Sequence, residues 1–286
     1  MKILELFSGS RSIGKIADKR GHEVFSVDNT PYPNTNWVGD ILDWDYRLNE
    51  MNVGELDELW IPDVIWASPP CTDFSVACIG KKWVPGHPFK PRDPELLGIK
   101  ILKKTLEIIK WYKEQNPNLI WFVENPRGKM RKFPDWWAFD HTRHTVSYCS
   151  YGDVRMKPTD IWTNVSNWKP KPLCKNYKYD SDGNIINRHC HHEASQRGET
   201  VRKLKDRGIQ AVKGGTEALK NNHERSKIPT ELCIEIVDLM DLQSSYSNKF
   251  LKFYQEFFEE DGSKWTLEEV KQKLIEDNIK EYSLNL

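Results

Sequence analysis

The stretch 62-PDVIWASPP-70 constrains this chain more than any other: a continuous apolar run closed by proline at both ends. A strand that is apolar at successive positions buries both its faces, as strands do in a parallel sheet covered on two sides by helices. Shorter apolar segments repeat the theme, with strands expected at Ile3–Phe7, Val24–Val27 and Leu119–Val123, and two more in 144-HTVSYCSY-151 and 160-DIWTN-164. Between them, Ile13, Ile16 and Ala17 have the spacing of one helix face. The clearest helix is 93-DPELLGIKILKKTLEIIKWYK-113, with Asp93 suited to the N-cap and Pro94 to the first helical position. Strand and helix in alternation predict an α/β fold with a doubly wound, mostly parallel sheet. Such sheets bind ligands along the C-terminal edge of their strands. Ser8-Gly9, Asp28, Pro70-Cys71 and Glu124-Asn125 all fall at that edge.

The rest of the chain is less regular. In 286 residues, 12 Trp and 11 Phe are ample for a packed core. No run of about 18 apolar residues predicts a membrane helix, and 1-MKILELF-7 reads as a first strand rather than a signal peptide. The six cysteines are scattered without a tight framework, which suits reduced thiols in a cytoplasmic chain. Net charge is zero, but unevenly laid out: residues 197–227 carry about five surplus positive charges and 256–281 a similar negative surplus. The expected organisation is a first domain over 1–165, a small irregular region over 166–225, and C-terminal helices over 226–286. The first of these, 229-PTELCIEIVDLM-240, has Cys233, Ile236, Val237 and Met240 on one face and is expected to pack back on the first domain. Further helices are expected over 248–259 and from Thr266, where Thr266 and Glu269 form a capping box.

Particular residues narrow the chemistry. The segment 4-LELFSGSRS-12 leads a strand into a small-residue turn, which allows close backbone approach to a nucleotide-like ligand. Asp28 ends the second strand about 20 residues on, where an acid holds ribose hydroxyls, although a plain turn residue fits there too. In 39-GDILDW-44, Asp40 lies near the same edge. The lack of a Gly-x-Gly-x-x-Gly favours a smaller adenosine-containing ligand over a dinucleotide. Cys71, taken alone, is most simply a packing residue.

Phe-x-Gly near the N-terminus, Gly-Asp-Ile at 39–41, Pro-Pro-Cys at 69–71 and Glu-Asn at 124–125, in this order, resemble the DNA (cytosine-5) methyltransferases. The likeness covers roughly residues 1 to 240, and 147-SYCSYGDVRMKPTDIWTN-164 is similar in style to short bacteriophage-type members. The resemblance implies a Rossmann-like S-adenosylmethionine-dependent methyltransferase fold. It implies that Phe7, Ser8, Gly9, Ser10, Asp28, Asp40 and Ile41 line the S-adenosyl-L-methionine site, with Pro70 at its border. Cys71 would be the nucleophile, Glu124 its partner, and Asn125 the residue holding the loop. Where the family places a cluster of arginines, 155-RMKPTD-160 supplies Arg155 and Lys157. The best-placed candidate for the last cofactor motif is 225-RSKIPTEL-232.

The same resemblance makes Thr72–Arg92 a loop that closes over a flipped base, and 166–225 the target-recognition region. Arg188, Arg197, Arg202, Lys203 and Lys213 are then candidate phosphate contacts. Cys174, His189, Cys190, His191 and His192 lack a paired Cys-x-x-Cys, so no metal is expected. The expected partner is double-stranded DNA, with no membrane association, and the protein is expected to be a monomer in the cytoplasm of a bacterial or phage-infected cell. An amino-group methyltransferase is disfavoured because Cys71 replaces the aromatic that stacks on the base. A catalytically silent DNA-binding regulator and an RNA cytosine-5 methyltransferase remain open.

Overall fold

The structure, a computed structural model, describes residues 1–47, 59–153, 156–174, 178–179, 181–182, 185–187 and 226–259, with side chains placed up to residue 244 of the last segment. Seven strands form one sheet: β1 Lys2–Leu6, β2 Glu23–Asp28, β3 Trp37–Val38, β4 Val64–Ala67, β5 Ile120–Pro126, β6 Thr142–Ser147 and β7 Pro158–Thr163. Their order is β3-β2-β1-β4-β5-β7-β6. All neighbouring pairs are parallel except those of β7, which runs antiparallel to both β5 and β6. A hairpin requires this, because only a crossover connection of a dozen or more residues returns a strand parallel to its neighbour. The turn from β6 into β7 begins with a 3-10 helix, Tyr148–Tyr151, ended by Gly152 at φ 79°.

Alternation along the central strands divides the core in two. Leu4, Leu6, Ile65, Ala67, Trp121 and Val123 face one side, where they meet Leu102, Leu106 and Ile109 of the helix α3, Leu97–Gln115. Ile3, Val64, Trp66 and Phe122 face the other, against Ala17 of α1 (Gly14–Lys19) and Leu232, Cys233, Ile236 and Val237 of the long C-terminal helix. The short helix Ile79–Lys82 is α2, and the C-terminal helix, Thr230–Glu259, is α4. Helices thus cover both faces, as the doubly wound reading requires. Met240 of α4 joins the cluster on this second face. Arg20 on the α1 side pairs with Asp238 and Asp241 at 2.5 and 3.0 Å.

Three elements differ from the sequence expectation. The helix expected from Asp93 begins at Leu97. Asp93 instead accepts the Glu95 N–H in a local turn, while the helix start is met by Asp73, whose Oδ2 accepts the Gly98 N–H at 2.7 Å. Secondly, α4 is continuous where two helices with a break after residue 240 are expected. Thirdly, Thr72–Arg92 is a built segment rather than an open loop. It contains the 3-10 turns Cys71–Asp73 and Val76–Cys78, then α2, and Phe74 and Trp83 within it are fully buried. Within 166–225, a two-stranded antiparallel pair, β8 Lys178–Tyr179 and β9 Ile185–Asn187, is described. Arg155, Arg188, Arg197, Arg202, Lys203, Lys213, His189, Cys190, His191, His192 and the Thr266–Glu269 capping box lie outside the described residues. No described helix is long and apolar enough to cross a membrane.

Candidate active site

Register aligns the site. Leu6 lies opposite both Val27 and Ala67, and Ala67 lies opposite Val123. The next residue of each strand or its continuation, Phe7, Asp28, Ser68 and Glu124, therefore forms a row along the C-terminal edge. The order of the strands reverses between β1 and β4, so this row straddles the switch point where open α/β sheets take their ligands.

On the β1 side the turn is strained and polar. Phe7, Gly9 and Arg11 have φ of 58°, 47° and 52°. Non-glycine residues rarely adopt that region, and they hold it only where surrounding contacts impose it. Those contacts centre on Glu5, a buried carboxyl in the middle of β1. Its Oε1 accepts the N–H groups of Ile13 and Gly14 at 3.2 and 3.1 Å, and its Oε2 accepts the Ser26 hydroxyl. Burial pushes the Glu5 carboxyl up to about 7, against the pull of the Gly14 N–H and of the nearby Arg11 guanidinium. Arg11 is itself buried, donating Nε to Ser26 Oγ at 2.8 Å and pairing with Asp18 at 2.9 Å.

Asp28 has the turn role the sequence allowed. It ends β2 at the edge, and its two oxygens accept the Gly9 and Thr30 N–H groups at 2.8 and 2.9 Å, so it also locks the turn. Ser10 Oγ lies 2.9 Å from Ser12 Oγ, which in turn accepts the Ile228 N–H at 3.4 Å, bringing the described part of 225-RSKIPTEL-232, residues 226–232, to this turn. Ile41 is buried in the core, whereas Asp40 is exposed and accepts the Leu42 N–H in a local turn. Ser8 Oγ is buried with no hydrogen-bond partner. A buried hydroxyl left unpaired at a switch-point turn is the mark expected of a site that takes a polar ligand.

On the β4 side the turn is stiff and apolar. Pro69 is buried, Pro70 exposed and Cys71 half-buried at the start of its 3-10 turn. Asn125 donates its Nδ2 to the Pro69 carbonyl at 2.8 Å, tying β5 to the turn that carries Cys71. Glu124 Oε1 accepts the Tyr148 hydroxyl at 2.8 Å, and Oε2 has no partner among the described residues. Lys157, in the connection just before β7, sits with Nζ 4.6 Å from the Tyr148 ring centroid. Burial pushes the Cys71 thiol up from its ordinary range; the Lys157 ammonium pulls it down and the Glu124 carboxylate adds to the rise. Cys78, by contrast, is buried with Sγ 2.9 Å from the carbonyls of Asp73 and Ser75, a packing role.

The structure therefore brings Cys71, Glu124, Asn125 and Lys157 together and sets Phe7, Ser8, Gly9, Ser10 and Asp28 beside them. Two residues escaped the sequence reading. Tyr148 lies in a segment expected to be a strand, and Arg131, in the run 127-RGKMRK-132, is assigned no role. Arg131 holds the buried Asp160 with two bonds of 2.9 and 2.5 Å, and Asp160 lies opposite Asn125 in the sheet. The run itself was the available signal for Arg131.

A seven-stranded sheet of this order, with an antiparallel seventh strand and two built turns on either side of the switch point, is a Rossmann-like doubly wound fold. No family model matches the sequence. Over 250 residues the chain is 29% identical to a protein of Frog virus 3 (isolate Goorha) described as a probable DNA (cytosine-5)-methyltransferase, covering 84% of this chain and all of that one. Among solved structures it is similar to a mutant of Spodoptera frugiperda DNMT2 (19% identity, TM-score 0.37, covering 59% of this chain and 52% of that one). It is also similar to a putative DNA modification methyltransferase encoded within an E. coli prophage (16%, TM-score 0.35, 57% and 46%), and to the Entamoeba histolytica methyltransferase EhMeth (12%, TM-score 0.39, 60% and 56%). The chain spans about half the length of these structures. The sequence likeness is thus to a probable DNA (cytosine-5)-methyltransferase, over the whole of that protein's length.

Proposed function

We propose that this enzyme methylates carbon 5 of a cytosine flipped out of double-stranded DNA, through a covalent adduct with Cys71. The observation that carries the reading is the juxtaposition of Cys71 and Glu124 on adjacent strand ends, braced by Asn125. Carbon 5 of cytosine is too weak a nucleophile to be methylated directly. Addition of the Cys71 thiolate to carbon 6 turns it into an enamine-like centre, and the Glu124 carboxyl stabilises the charge this develops on ring N3 and the exocyclic amine. After transfer, the proton on carbon 5 leaves and the Cys71 sulfur is expelled. Because burial holds the thiol protonated, thiolate formation falls to charges at the site, Lys157 foremost. The geometry of a stacked duplex excludes all of this, so the base must leave the helix. The Frog virus 3 relative, named for DNA, supports DNA as the substrate.

S-adenosylmethionine, when bound, supplies an electrophilic methyl group. The residues present fit it: the unpaired Ser8 hydroxyl, the Gly9 backbone, Phe7, Ser10 and Asp28 are grouped at the turn, with Ile41 and Pro70 as further candidates and the exposed Asp40 at the rim. Transfer of a tritiated methyl group to unmodified duplex DNA tests the proposal. Wild type is expected to transfer. Cys71→Ser and Glu124→Gln are expected to lose at least about a thousandfold and about a hundredfold respectively, the scale for removing a nucleophile and a charge-stabilising partner. A stable adduct with 5-fluorocytosine DNA, absent in Cys71→Ser, assigns the sulfur. Transfer to RNA and not DNA reassigns the substrate, and full activity in Cys71→Ser sinks the covalent route.

A further inference from the structure

We propose that Tyr148 is a positioning residue for the reaction: it fixes the Glu124 carboxyl through one oxygen and ties that carboxyl to Lys157, so that acid, ammonium and Cys71 form one braced unit. The inference rests on the cytosine-5 reading of Cys71 and Glu124.

Glu124 belongs to β5, but its one described hydrogen-bond donor comes from the far hairpin, 24 residues on. Ser147 lies opposite Pro158 at the end of the β6–β7 ladder, which sets Tyr148 and Lys157 facing each other at the hairpin tip. The Tyr148 N–H bonds the Met156 carbonyl at 3.0 Å, so the ring enters the site from a fixed backbone. Burial, with Glu124 adding to it, holds the phenol well above its ordinary range, so the hydroxyl is a donor throughout the working pH range. A donor on Oε1 leaves Oε2 for the base. The ring face meanwhile receives the Lys157 ammonium, the same cation whose field lowers the Cys71 thiol. One tyrosine thus touches both charged partners of the nucleophile, by its edge and by its face. Tyr148 also fills core space among Ile161, Cys233 and Val237. The test must therefore separate position from packing.

Tyr148→Phe removes the hydroxyl and keeps the ring. Its kcat is expected to fall about 10- to 100-fold, the range for losing a hydrogen bond to a charged group. The rate of adduct formation with 5-fluorocytosine DNA should fall in parallel, while the Kd for S-adenosylmethionine, measured by equilibrium binding, stays within twofold. In a Glu124→Gln background the same substitution should cost less than about threefold, because the interaction it breaks is already altered. Tyr148→His, which keeps a ring donor, should recover part of the loss and serves as the test if Tyr148→Phe does not fold. The proposal is overturned if Tyr148→Phe leaves kcat and adduct rate within twofold of wild type. It is equally overturned if its penalty is undiminished in the Glu124→Gln enzyme, or if Tyr148→His folds but loses cofactor binding rather than adduct rate. If wild type forms no adduct although Glu124→Gln still slows methyl transfer, the covalent reading of Cys71 fails instead, a result independent of Tyr148.

Discussion

Two turns flank the switch point, and they are held by opposite means. The turn after β1 is built from buried polar groups: three residues at positive φ, the Glu5 carboxyl on the first N–H groups of α1, and Arg11 buried against Ser26 and Asp18. The turn after β4 is built mainly from prolines and apolar packing, with hydrogen bonds from Asn125 to the Pro69 carbonyl and from the Gly98 N–H to Asp73 beside them. Beyond Cys71, Phe74 and Trp83 are fully buried, and Trp83 lies 4.7 Å from Phe89 and 6.0 Å from Phe74 between ring centroids. Under the proposed function, the difference matches what each side would do. A turn that receives a charged, hydroxyl-rich cofactor by backbone approach needs exact backbone dihedrals, which hydrogen bonds dictate. A turn that aims a sulfur needs stiffness, which proline and packing supply. One turn should therefore answer to charge and pH, the other to volume.

The largest effect expected is on the apolar side. Trp83→Ala empties a fully buried site and strips the Asp73 carbonyl of the indole N–H that bonds it at 2.7 Å. A loss of about 3–5 kcal/mol in a denaturant titration is expected, with little change in S-adenosylmethionine affinity in the protein that remains folded. If cofactor affinity falls as steeply as stability, the two turns are not separately held and the contrast fails.

The next effect tests the polar side through pH. The folded Glu5 titrates at about 7 rather than at its ordinary 4.5, so the native protein keeps this proton longer than the unfolded chain. Its contribution to stability is thus complete below about 4.5 and declines as pH rises to about 7, by about 3 kcal/mol in all, then stays level. Glu5→Gln cannot ionise and should lack this slope. Melting curves of the two proteins between pH 4.5 and 8 give the difference directly. A wild-type-minus-variant difference that is flat with pH would mean that Arg11 and the helix N–H groups already hold Glu5 ionised.

These two sides were unequally legible in the sequence. The strands of the central sheet and the row of residues at its edge could be read because each follows from a local pattern: an apolar run, then a break, then a polar or reactive residue. The pairing of Cys71 with Glu124 came only from the family resemblance. What could not be read are contacts between patterns. Asp93 looked like a helix cap because its local chemistry is that of one, yet the cap comes from Asp73, 25 residues before Gly98. Tyr148 and Arg131 act on Glu124 and Asp160 across 24 and 29 residues, through an antiparallel hairpin whose register no single strand reveals. The continuity of α4 was missed because 243-QSSYS-247 interrupts the apolar face without breaking the backbone. Asp40 shows the limit of a motif. Its likeness to a cofactor residue came from its place in Gly-Asp-Ile, but in the fold it is exposed and occupied with the Leu42 N–H.

Two glycines give the finest test of the contrast. At Gly128 a Cβ would come within 2.1 Å of the Phe74 carbonyl oxygen, so that glycine exists to let the Cys71 segment dock against the loop after Glu-Asn. At Gly9 a Cβ would meet nothing nearer than the Phe7 carbonyl at 4.0 Å; what an alanine there must bear is φ of +47°. Gly9→Ala should therefore cost only about 1 kcal/mol of stability, the penalty for a left-handed alanine. Its effect on S-adenosylmethionine binding is the sharper measurement. The Gly9 backbone is held by Asp28 beside the unpaired Ser8 hydroxyl, and if the cofactor approaches that backbone closely, the added methyl stands in its way. Affinity should then fall more than tenfold, well beyond what the small stability change explains. An affinity loss no larger than the stability loss would mean that glycine serves the dihedral alone, and that the cofactor is held chiefly by side chains such as Ser8 and Asp28.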